Sequence, residues 1–589
     1  MLTNARNTGS RDESIAGMIA AHPSDTLALS SHAFRLTYGQ LNERSAALAQ
    51  GLHLLGVGAN VPVPVYAHRT PAGILGVVSV LKAGGAYVAL DPADPAARLE
   101  SILRDVQAPF VLAERGLAGR LPKGDWKVIP LDEAPLIFTK PMEMPADPRP
   151  EDLASISYVS GPAGRPLGVE ITHANLLHLI RWHQRAFQIT AADTASQLAP
   201  PGHEAALWEI WPYLAVGASL HFADAHAGSS VNLLREWLTD QYITMTFAPP
   251  ALAERLMALD WPRRTALRYL LTGSDVLRQH PPAGLPFKVV NHHGQAETTI
   301  IATSGHVPVE PASLAVPPIG RPIDDVRAVI LDENQHLVRE GAPGELCLSG
   351  PCLARGYWNQ PELTARKFIP DFFCADPRAR LYRTGDIVRR LPDGQLAYCG
   401  RLDDQIIIRG FRVEPAEIEN VLNTYREVSR SAVMTREDVP GDRRLVAYVI
   451  PADDAALSTD LLAESLRREL PVHMRPDAIV LLSEFPLTAE GKVDRAALPV
   501  PPLSSRTAER LTVETRLGRI MSSLIRARHI DFNANFLQMD VHPLMGALVL
   551  DRVRDVFGVT ITSQQLYQAP TISGLAAAID GQLHASARV

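Results

Sequence analysis

Cysteine is scarce in this chain. There are four in 589 residues, Cys347, Cys352, Cys374 and Cys399, and no Cys-x-x-Cys pair. That excludes a disulfide framework and argues against zinc or thioredoxin-type chemistry; a reducing, cytoplasmic setting is the expectation. Positive charge is also in short supply. Lys and Arg number 57 against 64 Asp and Glu, a formal net charge of −7, so no sequence-independent nucleic-acid binder is expected. Long apolar runs are missing too. The most apolar stretch, Gly73–Leu81, is about half of the ~20 residues that a membrane-spanning helix needs. The opening MLTNARNTGSRDES is polar and lacks the apolar core of a signal peptide, so no membrane association is expected. What remains is ordinary globular composition, 46% hydrophobic and 21% charged, with length enough for several domains.

Apolar β-branched runs alternate with helical patterns: VPVPVYA, then TPAGILGVVSVLKAG, then AYVALDP, later FVLAE and WKVIPL. The alternation predicts α/β layers with largely parallel sheets. A boundary is expected near Gly400–Asp404, where QIIIRGFRV, EPAEIENVLNTY, RRLVAYVIP and LLAESLRREL read as a small α+β unit. The Pro/Ser-rich stretch around residues 499–507 reads as a stiff, solvated linker. Beyond it, residues 508–582 carry three or four helical patterns and no clear strand, a small bundle.

Four stretches in fixed order carry chemistry. They are Leu36-Thr37-Tyr38, the run LKAGGAYVALDP from Leu81 to Pro92, Tyr382-Arg383-Thr384-Gly385-Asp386 followed by GRLDDQIIIRGFRVEPAEIE, and PLTAEGKVDR from Pro486 to Arg495. In this order they resemble the adenylation domains of nonribosomal peptide synthetases, within the adenylate-forming enzyme superfamily. The tail resembles the acyl or peptidyl carrier domain that follows such units. The resemblance implies an α/β architecture: a large adenylate-forming domain with stacked sheets over 12–402, a small mobile α+β lobe over 403–498, the 499–507 linker, and an all-α carrier-like bundle over 508–582. The chain has neither an HHxxxDG run nor a GxSxG elbow, so no condensation domain or terminal hydrolase is expected.

The implied reaction joins a carboxylate to ATP, giving an acyl adenylate and pyrophosphate, with Mg²⁺ as the accompanying ion. Two anions must meet, so donors must stabilise the charge developing on the α-phosphate. By resemblance Lys492 is that group. Asp386, acceptor-only as a carboxylate, suits a ribose diol, and Arg401 helps to hold the nucleotide. Asp403 matches the hinge about which the small lobe rotates. In Asn291-His292-His293-Gly294-Gln295-Ala296-Glu297, His293 stands where the family stacks an aromatic ring on adenine beside Gly294, and Glu297 stands where it places a magnesium-associated glutamate.

The chain departs from the family pattern in three places. The phosphate loop reads Ser160-Gly161-Pro162-Ala163-Gly164-Arg165-Pro166-Leu167. Ser160, Gly161 and Gly164 remain to form the turn, but two hydroxyl positions have become Pro162 and Ala163, and the lysine has become Leu167. Pro162 also removes an N–H donor; Arg165 is a substitute cation at best. Before Trp208-Glu209-Ile210, the aspartate that pairs a substrate ammonium is replaced by Glu204, one methylene longer. In the tail, Pro543 occupies the position of the serine that accepts phosphopantetheine, and no Ser or Thr lies between Asp531 and Asp551. Proline is tolerated at the first position of a helix, so the bundle survives while covalent phosphopantetheine is not expected.

Two readings stay open. One is an altered ligase that activates an amino acid or related carboxylic acid for a separate carrier or synthetase module in trans. The other is a catalytically silent scaffold of a biosynthetic assembly. A coenzyme A ligase is disfavoured by the carrier-like tail, and whether a small activator protein docks on the large domain stays open.

Overall fold

A computed structural model describes residues 14–32, 34–131, 147–161, 164–224, 226–309, 316–403, 405–408, 410–439, 442–452, 457–486 and 493–501, with scattered positions between 513 and 579. The chain divides into two compact units, Met1–Ala497 and Leu498–Val589. The first holds two large stacked sheets, a third antiparallel sheet and the small α+β lobe. In the second, Val513, Leu517, Val553, Ile572, Leu575 and Ile579 share a buried apolar cluster. Lys492 and Pro543 lie outside the described residues, as do Pro162 and Ala163.

Parallel pairing dominates the two large sheets, and the small lobe adds one parallel pair, Asp442–Pro451 with Ala478–Leu481. In the nine-stranded sheet, Thr194–Gln197, Ser219–Phe222, Met245–Phe247, Tyr269–Thr272 and Lys288–His293 run parallel, and Thr303–His306 returns antiparallel. The seven-stranded sheet pairs Pro62–Tyr66 and Ala86–Leu90 in parallel, then closes on the antiparallel hairpin Leu153–Ser160/Pro166–Thr172. That hairpin turns through the phosphate loop. The two large sheets are largely parallel, as expected; the third sheet, built on Gly344–Ser349 and Arg380–Arg390, departs from that expectation and is antiparallel throughout. Arg380–Arg390 returns to Leu396–Arg401 through a short turn, and parallel neighbours would need a crossover connection.

Local chemistry explains where helices start. Thr37 caps Tyr38–Leu54 in a capping box with Gln40, and Thr172 caps His173–Phe187 with Asn175. Thr70 followed by Pro71 opens Pro71–Lys82. The helix Ala205–Leu214 is buried along its whole length; it is apolar but for Glu209, whose carboxylate accepts from the backbone N–H groups of Leu198 and Ala199. It delivers Glu204, at its N-cap, to the rim of the central cleft.

In the small lobe, the hairpin Ile406–Ile408/Phe411–Val413 leads into the helix Pro415–Leu422. A sheet of Val428–Val439, Asp442–Pro451 and Ala478–Leu481 backs it. Ile406, Val413, Ile418, Leu422, Val433, Leu445, Leu462 and Met474 form the lobe's own core.

Candidate active site

Asp386 is fully buried on the strand Arg380–Arg390. Strand pairing sets it opposite Arg401, whose Nη1 bonds Asp386 Oδ1. On Oδ2 it accepts from Gln295 Nε2 at 2.9 Å and contacts His293 Nε2 at 3.0 Å. Burial pushes this carboxyl upward, but the hydrogen bond and charge of His293, with the charge of Arg401, outweigh it and hold it below the ordinary range. Arg401 also grips Asp403, with Nε 2.7 Å from Oδ1. Arg401 thereby links Asp403, expected at the hinge, to the buried Asp386.

Glu297 sits in a 3₁₀ turn after His293 and is fully buried. Its Oε1 accepts from Tyr357 OH at 2.8 Å and from Arg412 Nη1 at 2.8 Å, and Oε2 lies 3.0 Å from the same nitrogen. Burial raises this carboxyl, and the adjacent guanidinium overrides that and lowers it. The sequence marked Glu297 but not Arg412. Its contact spans 115 positions, and its only local signal is an arginine between two apolar strand residues, Phe411 and Val413.

Two cavities share Glu204 and Arg412 in their walls. One, of about 410 Å³, is lined by His293, Gly294, Gln295, Asp386, Tyr398 and Arg401, among others. The second, about 310 Å³, is lined by Asp91, Asp94, Arg98, Ser160, His203, Phe411 and His473. Phe411 stacks on His473, with centroids 4.1 Å apart and planes at 9°. His203 Nε2 meets the carbonyl of Gly410 at 3.1 Å. The small lobe therefore forms one wall of both cavities. Burial, with the charge of Arg98 and His203, pushes His473 down to about 3, so its ring is neutral in this stack.

The phosphate loop keeps its turn. Gly164 is left-handed at φ +69°, a conformation that favours glycine, and its N–H bonds the carbonyl of Gly161 at 3.0 Å. Leu167 is buried in the main core, whereas Arg165 is exposed and lines neither cavity. Arg165 as a substitute cation is thus not supported. Ser160 is buried and its hydroxyl has no hydrogen-bond partner of normal geometry.

Among the described residues no group of three or more His, Cys, Asp or Glu is arranged to hold a metal ion. A protein-only metal site at Glu297 does not fit this arrangement, because both carboxylate oxygens already carry donors. Magnesium is commonly held by one or two carboxylates plus substrate phosphates, which places it with ATP as a co-substrate. The adjacent His292 turns away from the cleft into an aromatic cluster, its ring 4.7 Å from that of Trp208.

Family models match along the chain: AMP-binding enzyme over residues 18–358, AMP-binding enzyme C-terminal domain over 417–492, and phosphopantetheine attachment site over 515–579. The chain belongs to the AMP-binding enzymes. It is an adenylation protein of the nonribosomal peptide synthetase type followed by a carrier domain, and by family an adenylate-forming ligase. It is 40% identical over 97% of its length to one of the linear gramicidin synthase proteins of Brevibacillus parabrevis, and 36% identical over 92% to bacitracin synthase 1 of Bacillus licheniformis. It spans only 7% and 10% of those two proteins. A four-domain nonribosomal peptide synthetase, solved in its holo form with AMP and glycine, superposes with a TM-score of 0.58 at 27% identity, covering 96% of this chain and 42% of that one. An artificially fused Adenylation-PCP di-domain NRPS from Klebsiella oxytoca shares the fold, with a TM-score of 0.70 at 24% identity over 79% of this chain and 93% of that one. Among the described residues no helix of this AMP-binding enzyme is long and apolar enough to cross a membrane.

Proposed function

We propose that the protein activates an amino acid or related carboxylic acid as an acyl adenylate, using ATP with Mg²⁺, for transfer to a carrier held by another module. The observation that carries this reading is the meeting of two cavities at Glu204: a nucleotide-sized one with Asp386, His293 and Arg401, and a second one opening beside the phosphate loop.

In this reading Asp386 takes the ribose hydroxyls. A carboxylate offers about four acceptor positions, and three are engaged by Arg401, Gln295 and His293. A diol therefore displaces one donor. His293 is the one that yields, turning its ring onto adenine next to Gly294, while Arg401 stays between the nucleotide and Asp403. Glu297 meets the magnesium that arrives with the phosphates. Ser160, Gly161 and Gly164 shape the turn for the leaving pyrophosphate. Glu204 pairs the substrate ammonium at the cavity junction. Lys492, on the rotating lobe with Asp403 at the hinge, neutralises the α-phosphate and carboxylate as they approach.

The tail is proposed to bear no phosphopantetheine at position 543, because proline has no hydroxyl to phosphorylate. The product is then handed over in trans.

Amino-acid-dependent exchange of labelled pyrophosphate into ATP tests this function. Exchange that Lys492→Ala abolishes supports it. The second reading, a silent scaffold, is favoured by the joint loss of the phosphate-loop lysine at Leu167 and of the carrier serine at Pro543. Absence of both exchange and nucleotide binding by calorimetry selects that reading.

A further inference from the structure

The small lobe does more than close the cleft: it brings one charge of each sign to the two places where a magnesium polyphosphate is expected. Arg412 reaches Glu297 with Nη1 at 2.8 and 3.0 Å from the two carboxylate oxygens. Five residues along, Glu417 stands buried in the first turn of Pro415–Leu422, the helix that packs on the phosphate loop at Gly164. Arg98, from the large lobe, bonds its Oε1 at 2.7 Å. The other Glu417 oxygen and the Ser160 hydroxyl are both buried without a hydrogen-bond partner of normal geometry, yet Ser160 is near enough to favour the carboxylate. The helix lies directly on the loop. A Cβ built on Gly164 falls 1.9 Å from Asn420 Nδ2 and 3.0 Å from the carbonyl oxygen of Ala416.

We propose that Arg412 and Glu417 act together as an internal counterpart of magnesium pyrophosphate, the guanidinium standing in for the cation at Glu297 and the carboxylate for a phosphate at Ser160 and Arg98. The docked lobe and a bound magnesium polyphosphate then exclude each other. Ligand must break both contacts to enter, and its departure leaves two complementary charges that draw the lobe back. Arg412 and Glu417 are positioning residues here. They act through lobe position, and neither touches the reacting carboxylate. This inference rests on the reading that the Ser160 loop and Glu297 receive nucleotide phosphates with their metal.

The test uses the full chain, with magnesium pyrophosphate as the probe. Calorimetry gives its affinity, and hydrogen exchange over residues 411–423 gives the lobe position. Glu417→Gln keeps the shape and removes the charge; Arg412→Met keeps most of the stem. Each variant is expected to bind magnesium pyrophosphate about tenfold tighter, within the range of ordinary coupling between linked equilibria. In the wild type, ligand is expected to raise exchange over 411–423. Glu417→Gln supplies the answer on its own if Arg412→Met, which leaves Glu297 buried and unpaired, fails to fold. Wild-type binding that neither variant tightens, with exchange unmoved by ligand, overturns the proposal while the phosphate-site reading stands. No binding of magnesium pyrophosphate to wild type or variants overturns both.

Discussion

Trp208 donates its indole N–H to Nδ1 of His183 at 2.9 Å, deep in the large lobe. An acceptor Nδ1 means a neutral ring with its proton on Nε2. His183 is fully buried, and burial, with a smaller contribution from His292, holds its pKa well below the ordinary value. A base depressed in this way binds fewer protons folded than unfolded. Its stabilising contribution is complete above the unfolded value near 6.5 and is lost as pH falls below that value.

His183→Gln keeps an acceptor for Trp208 and cannot titrate. Between about pH 7 and about pH 5 the wild type should lose stability at up to ~1.4 kcal/mol per pH unit from this ring, and the variant should lose correspondingly less. Thermal melts at several pH values check this. Parallel curves for the two proteins would show that the ring plays no part in the acid limb.

A second expectation concerns Asp386 and Arg401. Asp386→Asn removes the buried negative charge and leaves Arg401 with Asp403, on the exposed side, as its charged partner, beside the Thr384 carbonyl. Breaking a buried pair typically costs 3–5 kcal/mol, and the surviving Asp403 contact places this case near ~3 kcal/mol. AMP affinity should fall together with melting temperature. A variant that melts lower but binds AMP as the wild type does would remove Asp386 from the nucleotide site and leave it a structural residue.

The motif residues were legible because their spacing is local. Tyr382 to Asp386 lie on one strand, His293 to Glu297 on one strand end and its turn, and capping signals such as Thr37 and Thr172 place the helices that carry the cleft. The partners of these residues were not legible. Arg98 and Glu417 are 319 positions apart, and Arg412 and Glu297 are 115 apart. Nothing in the local pattern says that an arginine in a short hairpin will meet a glutamate on another lobe. The antiparallel third sheet was missed for a related reason: runs such as GELCLSG and GQLAYCG look alike whether they pair parallel or antiparallel, and only the connection length between them decides.

The carrier domain gives a third expectation. Incubation of the full chain with a phosphopantetheinyl transferase and coenzyme A should add no mass to the tail, because position 543 has no hydroxyl. Pro543→Ser should gain one arm per chain under the same conditions, read by intact-mass spectrometry. A modified wild-type peptide would show that another residue serves as the acceptor and would displace the register assigned to Pro543.

Gly164 provides the last test, one of backbone geometry. Its left-handed φ disfavours any side chain by roughly 1–2 kcal/mol, and its missing Cβ leaves room for Asn420 and the Ala416 carbonyl. Gly164→Ala should therefore weaken the seat of the helix Pro415–Leu422 more than it weakens the large lobe. Exchange over 415–422 should rise clearly, while the strands Leu153–Ser160 and Ala86–Leu90 stay protected, because Val88, Leu90, Leu153 and Ile156 are anchored in a core of the large lobe. Unchanged protection of the helix would mean that the Gly164 contact contributes little and that the other contacts between the lobes, Arg98–Glu417, Arg412–Glu297 and His203–Gly410 among them, seat it. Combining Gly164→Ala with Glu417→Gln separates these cases. Residues acting in one interface couple, whereas independent ones add to within ~0.5 kcal/mol.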